Sequence, residues 1–228
     1  MSRVVLIDID GTLFNSNSTF DCLDSLPDGK WYGFYRKVGA SIFGRIVNKL
    51  AIILFSKDII RMIGISCLKG YSQKQLFTLG EEFYDNFLLQ RKNSEVFNML
   101  DEEKKNDSKI ILASATLDFL SEIIKKRVMA DYAIATELKY KKGCCVGKIL
   151  KDRLGRKMEA LVETGISFPV DMTITDNVTD ARLLSDSLSQ VIVIYPREAN
   201  KWARIIKKYN FKDAKLLQYC VKLTFNRL

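Results

Sequence analysis

Short apolar runs alternate with helix-like stretches along most of the chain. Apolar, largely β-branched runs at 4–7, 109–113, 172–175 and 191–195 predict buried strands. Apolar residues recur at helical spacing after the second run, and the stretches 155–164 and 181–188 are also helix-like. These patterns predict helices between the strands. Segments 137–141 and 145–149 flank Lys142 and Gly143 and predict a hairpin. Strands that alternate with helices indicate an α/β fold with a mainly parallel sheet.

Residues from about 14 to 89 follow a different pattern. Strand-like alternation is missing there, and apolar residues recur at helical spacing. That stripe consists of Val38, Ile42, Ile46, Leu50 and Leu54. We therefore predict a helical cap domain at 15–89, inserted into a core domain formed by 1–14 and 90–228.

The wide apolar face of this helical unit has two explanations. Packing inside the cap is the favoured one. Alternatively, the face lies in a membrane interface, where aromatic residues followed by basic residues are typical. The residues that suggest this peripheral contact are Trp31, Tyr32, Phe34, Tyr35, Arg36 and Lys37.

Composition excludes several classes of enzyme. The chain has no histidine, which removes Ser-His-Asp and Cys-His catalysis and imidazole-based zinc sites. Its 5 cysteines show no C-x-x-C spacing, as expected of reduced thiols in a cytoplasmic protein. The most apolar segment, 38–55, is interrupted by Arg45, Asn48 and Lys49, so we expect no transmembrane helix. The amino terminus lacks the features of a signal peptide.

Positive charge is concentrated near the end of the chain. The formal net charge is +9, and nine Lys or Arg residues follow Pro196 against only Glu198 and Asp213. A solvated basic helix face is the favoured interpretation, and we expect no nucleic acid as a partner. The competing hypothesis is a non-catalytic protein that binds nucleic acid or a membrane through this region.

Acidic and small polar residues follow the predicted strands. Asp8 and Asp10 follow the first strand, Ser114 and Ala115 the second, and Asp176 and Asp180 the third. Since the carboxyl ends of parallel strands meet at one edge, these residues are expected to lie close together. A carboxylate that attacks a phosphate needs a divalent metal held by oxygen ligands, which Asp176 and Asp180 can supply, and a nearby cation, which Lys157 can supply. Ser114 and the Ala115 amide, at the start of a helix, could bind phosphoryl oxygens.

Each of these residues also has an ordinary structural explanation. Asp8 and Asp10 could cap a turn, Ser114 could cap the next helix, and Asp180 could cap the helix at 181. Lys157 could be a surface lysine paired with Glu159 or Glu163. Their order along the chain and their shared position after strands favour the catalytic interpretation.

The same residues resemble the four motifs of the haloacid dehalogenase-like superfamily. The match consists of DIDGT at 8–12, IILAS ending at Ser114, GRK ending at Lys157 and TDNVTD ending at Asp180. The stretch at 114–116 is similar to the phosphoserine phosphatase-like branch. This resemblance implies a three-layer, Rossmann-like core with a cap.

By that resemblance, Asp8 forms a phosphoaspartate and Asp10 transfers protons to the leaving group and from water. Asp8, Asp176 and the main-chain carbonyl of Asp10 would hold Mg²⁺. Ser114, Ala115 and Lys157 would bind the phosphoryl group. The supporting residues around the metal would be Thr12 and Asp180.

The resemblance predicts a phosphatase that acts on a small phosphorylated metabolite. Phosphoserine is not the expected substrate, because segment 15–20 lacks the acid that phosphoserine phosphatases place after the nucleophile loop. Transfer of the phosphoryl group to an acceptor other than water is the alternative, since both reactions share the phosphoaspartate step.

Overall fold

A seven-stranded sheet forms the centre of the computed structural model, which describes residues 3–26, 30–55 and 58–219. Its strand order is β4-β3-β2-β1-β5-β6-β7, and every neighbouring pair is parallel except the antiparallel pair β3 and β4. The strands are β1 (Val4–Ile7), β2 (Lys109–Leu117), β3 (Tyr132–Lys141), β4 (Cys144–Lys151), β5 (Val170–Thr175), β6 (Ser187–Ile194) and β7 (Lys215–Gln218).

Helices cover both faces of the sheet. Five of them, α1 to α5, lie between β1 and α6 in the chain. The helices are α1 (Ser18–Asp24), α2 (Lys30–Ala40), α3 (Ile42–Phe55), α4 (Ile59–Ser66), α5 (Gln73–Asn86), α6 (Ser94–Lys105), α7 (Asp118–Arg127), α8 (Lys157–Glu163), α9 (Ala181–Ser185) and α10 (Ala199–Tyr209).

Alternate residues of the central strand β1 face different helical layers. Val5 and Ile7 pack in the larger core cluster, which includes apolar residues of α5, α6 and α7. Leu6 packs on the other face, with Ala160 of α8 and Leu183 of α9. Because β1 is covered on both faces, its sequence is continuously apolar rather than alternating. The predicted three-layer α/β core with a mainly parallel sheet is therefore confirmed.

Most predicted core elements occur where the sequence places them. The four strands and the hairpin around Lys142 and Gly143 are confirmed, although β2, β5 and β6 are longer than predicted. The helix predicted at 181–188 ends at Ser185, because the chain enters β6 at Ser187 to pair with β5. The helix predicted after the second apolar run begins at Asp118, because β2 extends to Leu117.

The apolar stripe at 38–54 is divided between two helices. Ser41 separates α2 from α3, and its hydroxyl accepts a hydrogen bond from the Gly44 amide (2.9 Å). A Cβ on Gly44 would lie 2.2 Å from the carbonyl oxygen of Val38, so this tight turn requires glycine. Ala51 of α3 is buried, whereas Ile42 and Ile46 are exposed. The favoured prediction that the stripe packs inside the cap is wrong for α3.

No helix in the described ranges has both the length and the apolarity that crossing a membrane requires. Four cysteines, Cys22, Cys67, Cys144 and Cys145, are free thiols, and Cys220 lies outside the described residues.

Candidate active site

Three neighbouring strands place the predicted site residues around one cleft. Asp8 follows β1, Asp176 follows β5, and Ser114 lies in the second half of β2. Because β1 pairs in parallel with both β2 and β5, these positions meet at one edge of the sheet. The cleft there has a volume of about 620 Å³, and its lining includes Asp10 and Lys157.

Asp8 is buried and held in a defined orientation. Its amide donates to the carbonyl of Ile174 (3.0 Å), and its Oδ1 accepts from the Ile9 amide (2.8 Å). Its Oδ2 lies 2.6 Å from Nζ of Lys157. Burial raises the pKa of Asp8 to about 6; Lys157 opposes this rise, and the negative charge of Asp180 adds to it. The carboxylate is therefore poorly solvated and positioned beside a cation.

Lys157, in the lining of the cleft, joins two carboxylates. Its Nζ also lies 2.7 Å from Oδ2 of Asp180, which accepts from the hydroxyl of Thr175 (2.8 Å). Burial disfavours the ammonium, but Asp180 and Asp8 outweigh it and raise the pKa of Lys157. Lys157 is thus no surface lysine. Asp180 precedes α9 but makes no side-chain capping bond, so its carboxylate serves the site instead.

Asp10 is oriented by groups from α1 and β2. Its Oδ1 accepts from the Ser18 amide (2.7 Å), and its Oδ2 accepts from the hydroxyl of Thr116 (2.9 Å). Burial raises the pKa of Asp10 even though the bonds from Ser18 and Thr116 oppose the rise. A buried carboxyl with a raised pKa is suited to hold a proton and release it.

Asp176 packs against the turn that follows β1. Its Oδ1 accepts from the hydroxyl of Thr12 (3.1 Å), and its amide donates back to the same hydroxyl (2.9 Å). A Cβ on Gly11 (φ +72°) would lie 2.1 Å from Oδ2 of Asp176, so only glycine fits there. The carbonyl of Asp176 accepts from Nε1 of the buried Trp202 (3.1 Å). Burial raises the pKa of Asp176 to about 7, and repulsion by Asp8 adds to the rise.

Ser114 and Ala115 are in the cleft lining, but they do not begin a helix. Helix α7 starts at Asp118 with Leu117 as its N-cap residue, so neither a helix start nor a Ser114 cap is present here. The two residues instead lie in an irregular part of β2, between the β3-paired Ala113 and Leu117. The hydroxyl of Ser114 is 3.1 Å from that of Thr116.

Arg61 of α4 is a buried cleft residue that the sequence did not reveal. Its guanidinium donates to the carbonyl of Ala115 (2.6 Å), the hydroxyl of Thr136 (2.8 Å) and Oδ1 of Asp152 (2.8 Å). These bonds join the helical segment to the strand irregularity beside the site. Nothing near Arg61 in the chain signals such distant partners, so only the packed fold could identify it.

Other residues line the rim of the cleft. Asp21 lies one residue beyond the segment searched for a substrate-binding acid, and its carboxylate accepts from the hydroxyl of Ser16 (2.6 Å). Tyr195 donates through its hydroxyl to the carbonyl of Gly11 (2.9 Å). Lys201 of α10 reaches the rim, while Arg204 and Lys208 on the same helix are exposed, as predicted for a solvated basic face.

The charges of the site fit a hard divalent cation. The site contains four aspartates, at positions 8, 10, 176 and 180. Lys157 pairs with Asp8 and Asp180, and burial raises the pKa of Asp8, Asp10 and Asp176. Within the described ranges, no three His, Cys, Asp or Glu side chains form a metal-binding cluster. Two carboxylates of the site, together with main-chain and water oxygens, would form a ligand set suited to Mg²⁺.

Comparison with known families identifies this arrangement. The model of the haloacid dehalogenase-like hydrolases matches residues 5–185, which include all of the aspartates described above and Lys157. The chain belongs to this family. No curated protein matches the sequence.

Solved structures share the fold of this hydrolase. A protein of unknown function from Bordetella pertussis Tohama I aligns with a TM-score of 0.68 and 16% identity, over 95% of this chain and 98% of that one. A substrate-bound phosphoserine phosphatase gives 0.56 and 18%, over 92% and 98%. A phosphoserine phosphohydrolase-like protein from Francisella tularensis subsp. tularensis SCHU S4 gives 0.56 and 14%, over 94% of both chains. At these identities the likeness concerns the fold.

Proposed function

We propose that this hydrolase is a Mg²⁺-dependent phosphomonoester phosphatase that forms a phosphoaspartate on Asp8. The observation that carries the proposal is the buried contact between Asp8 and Lys157, with the hydrogen-bonded carboxyl of Asp10 lining the same cleft. Structural neighbours named as phosphoserine phosphatases support phosphate chemistry on this fold. The proposed substrate is a small phosphorylated molecule.

In the first step, a carboxylate oxygen of Asp8 attacks phosphorus and the bond to the leaving alcohol breaks. Asp10 donates the proton that the departing alkoxide needs, which its raised pKa favours. Lys157 and the donors of the β2 irregularity, including the hydroxyl of Ser114, neutralise and orient the phosphoryl oxygens.

In the second step, water replaces the enzyme carboxylate. Asp10, now ionised, removes a proton from the attacking water, and the bond between phosphorus and Asp8 breaks. Inorganic phosphate leaves, and the carboxylate of Asp8 is restored. The bonds from Ser18 and Thr116 keep Asp10 oriented for both proton transfers.

Asp8, Asp176 and the main-chain carbonyl of Asp10 would hold Mg²⁺, with Thr12 and Asp180 supporting them. When bound, the ion supplies positive charge that offsets the repulsion between the phosphate and the carboxylates. The hydroxyl of Thr12 donates to the carboxylate of Asp176 and accepts from the main-chain amide of the same residue, and both bonds hold Asp176 in place.

The segment 15–89 is proposed to act as a cap over the cleft. Cleft-lining residues of this segment include Phe20 of α1 and Arg61 of α4. Helix α5, at the other end of the segment, packs on α7 of the core, with Gly80 against Ile123 and Phe119. The cap would exclude water and contact the leaving group.

Hydrolysis of p-nitrophenyl phosphate with and without Mg²⁺ tests the proposal. Wild type is expected to require the metal, and Asp8→Asn to lose at least about a thousandfold in kcat, because the amide is a poor nucleophile. Asp101→Asn, an exposed change on α6, is the matched control and should keep full activity. Intact-protein mass spectrometry of the acid-quenched reaction should show one added phosphoryl group in wild type and in Asp101→Asn, but not in Asp8→Asn.

Two outcomes would contradict the assignment. One is a wild-type protein that binds no Mg²⁺ and is inactive on both the aryl phosphate and a panel of phosphometabolites. The other is an Asp8→Asn variant whose metal-dependent activity equals that of Asp101→Asn.

A further inference from the structure

Helix α3 presents a row of large apolar side chains to solvent. We name the five residues of this row the α3 face. Residues four apart lie one above another on a helix, so most of these side chains form a continuous strip. The exposed fractions are 72% for Ile42, 77% for Phe43, 54% for Ile46, 52% for Leu50 and 67% for Leu54.

The outward orientation of this strip is fixed by contacts on the other side of α3. The amide nitrogen Nδ2 of Asn48 donates to Oδ1 of Asp58 (3.1 Å), and Oδ1 of Asn48 accepts from the Ile60 amide (2.9 Å). Ala51 is buried on the same inner side. Rotating α3 to bury the apolar row would break these bonds. Contiguous exposed apolar surface of this kind is typical of an interaction site.

Charge around the α3 face has one sign. Between residues 30 and 55 the sequence contains five basic residues and no Asp or Glu. Two of them, Arg45 and Lys49, are on α3 itself and are exposed beside the apolar row. An amphipathic helix with apolar residues on one face and flanking cations complements the surface of an anionic bilayer.

We propose that the α3 face docks this hydrolase on an anionic phospholipid bilayer, with Ile46 and Leu50 entering the interface and Arg45 and Lys49 contacting headgroups. The docked helix is one hydrogen bond from the cleft, because Asp58, the partner of Asn48, lines it. Docking would therefore hold the cleft near the membrane surface. The inference is independent of the proposed phosphatase chemistry.

A second copy of the chain fits this face less well than a bilayer does. A two-fold contact between α3 faces would bring Arg45 and Lys49 of both copies together without an acidic partner on that segment. A bilayer instead accepts the apolar row and supplies phosphate groups for the cations.

Flotation of the full-length protein with phosphatidylcholine vesicles, with or without phosphatidylglycerol, tests the proposal. The protein should float with the anionic vesicles at low salt and less so at high salt. Ile46→Gln/Leu50→Gln should lower the partition coefficient by at least about tenfold, because both changes remove apolar burial in the interface. Arg45→Gln/Lys49→Gln should reduce binding to anionic vesicles and abolish the difference between the two lipid compositions.

Matched variants separate this surface from general effects. Leu150→Gln/Leu188→Gln removes two apolar residues of similar exposure elsewhere, and Lys207→Gln/Lys208→Gln makes the same charge change on α10. Both should bind like wild type, and circular dichroism would verify that every variant is folded.

Absence of flotation, or equal loss in the α10 variant, would overturn the proposal. So would a dimer in light scattering that Ile46→Gln/Leu50→Gln dissociates while vesicle binding is absent. Because flotation needs no substrate, an inactive protein that still floats would refute only the phosphatase assignment.

Discussion

The candidate active site and the α3 face differ in which side chains they bury. At the site, Asp8, Lys157 and Asp180 are buried charges that satisfy one another across three elements. On α3, apolar side chains that could be buried are instead exposed, while the polar Asn48 faces inward and bonds to Asp58. The first region is stabilised by internal partners, whereas the second has its apolar surface available for an external one.

Each region is suited to a different kind of external partner. Around Lys157 the carboxylates outnumber the single ammonium group, so they repel one another. A metal ion would reduce this repulsion. The α3 face instead exposes apolar surface that could be buried against a partner. Mutations should therefore act mainly on catalysis at the site and mainly on binding at α3.

After Asp8→Asn, the largest effect is expected from Asp10→Asn. The amide oxygen can still accept from the Ser18 amide, and the amide nitrogen would instead donate to the hydroxyl of Thr116. The side chain cannot transfer the proton, so kcat should fall by about 10² to 10⁴. The loss in the phosphorylation step should be larger for an alkyl phosphate than for p-nitrophenyl phosphate, whose leaving group needs little protonation. Rapid-quench measurement of phosphoenzyme formation checks this. An equal loss for both substrates would contradict the role of Asp10 as the general acid.

Breaking the link between α4 and the site should destabilise the fold. Arg61→Met removes three hydrogen bonds and leaves the Ala115 carbonyl without its guanidinium donor. Because Asp152 is partly exposed, we expect a loss of about 2–3 kcal/mol rather than the larger loss of a fully buried pair. Chemical denaturation measures it.

Arg36→Met is the control for Arg61→Met, because Arg36 pairs with Asp24 at the surface. It should cost less than about 1 kcal/mol. Similar losses in both variants would show that Arg61 does not join α4 to the core as described.

The acidic site predicts an unusual dependence of stability on pH. The pKa of Asp8 is raised to about 6 and that of Asp176 to about 7 from an ordinary 3.8, mainly by burial. At pH values between the ordinary and the raised pKa, the folded metal-free chain thus binds more protons than the unfolded chain. The free energy of unfolding therefore falls as pH rises through 6 and 7. In EDTA, we expect this pair to lower the free energy of unfolding by up to about 4 kcal/mol between pH 5 and 8.

Mg²⁺ should reverse this trend, since it stabilises the ionised carboxylates and therefore adds more stability at pH 8 than at pH 5. Asp176→Asn should flatten the pH dependence in EDTA, and Asp101→Asn should leave it unchanged. A metal-free protein whose stability rises steadily from pH 5 to 8 in both variants and wild type would count against the raised pKa values.

Local pattern accounts for the parts of the molecule in which one strand or motif decides the structure. The β-branched run at 4–7, followed by Asp8, Asp10 and Gly11, predicts a buried strand and an acidic turn, and both are present. Lys157 could be proposed because it lies in a helix-like stretch that resembles the lysine motif, and Asp180 because it follows the third predicted strand. Their mutual contact depends on the order of strands in the sheet.

Long-range packing accounts for what the pattern missed. Arg61 has its partners 54, 75 and 91 residues away, so no local spacing reveals it. The helical spacing of Ile42, Ile46 and Leu50 correctly indicates an apolar face, yet periodicity cannot tell which way that face points. Here the inward contacts of Asn48 decide the orientation.

The smallest effect is expected for Ile46→Gln, which tests whether the α3 face is exposed in solution. Glutamine is compatible with a helix, and Ile46 is more than half exposed, so unfolding free energy should change by no more than about 0.5 kcal/mol. Leu76→Ala on α5, which is fully buried in the same segment 15–89, should cost about 2–5 kcal/mol. If both changes cost the same, the α3 face is covered within the free protein and is not available to a bilayer. A near-neutral Ile46→Gln that nevertheless weakens vesicle binding would instead separate the surface that docks from the core that folds.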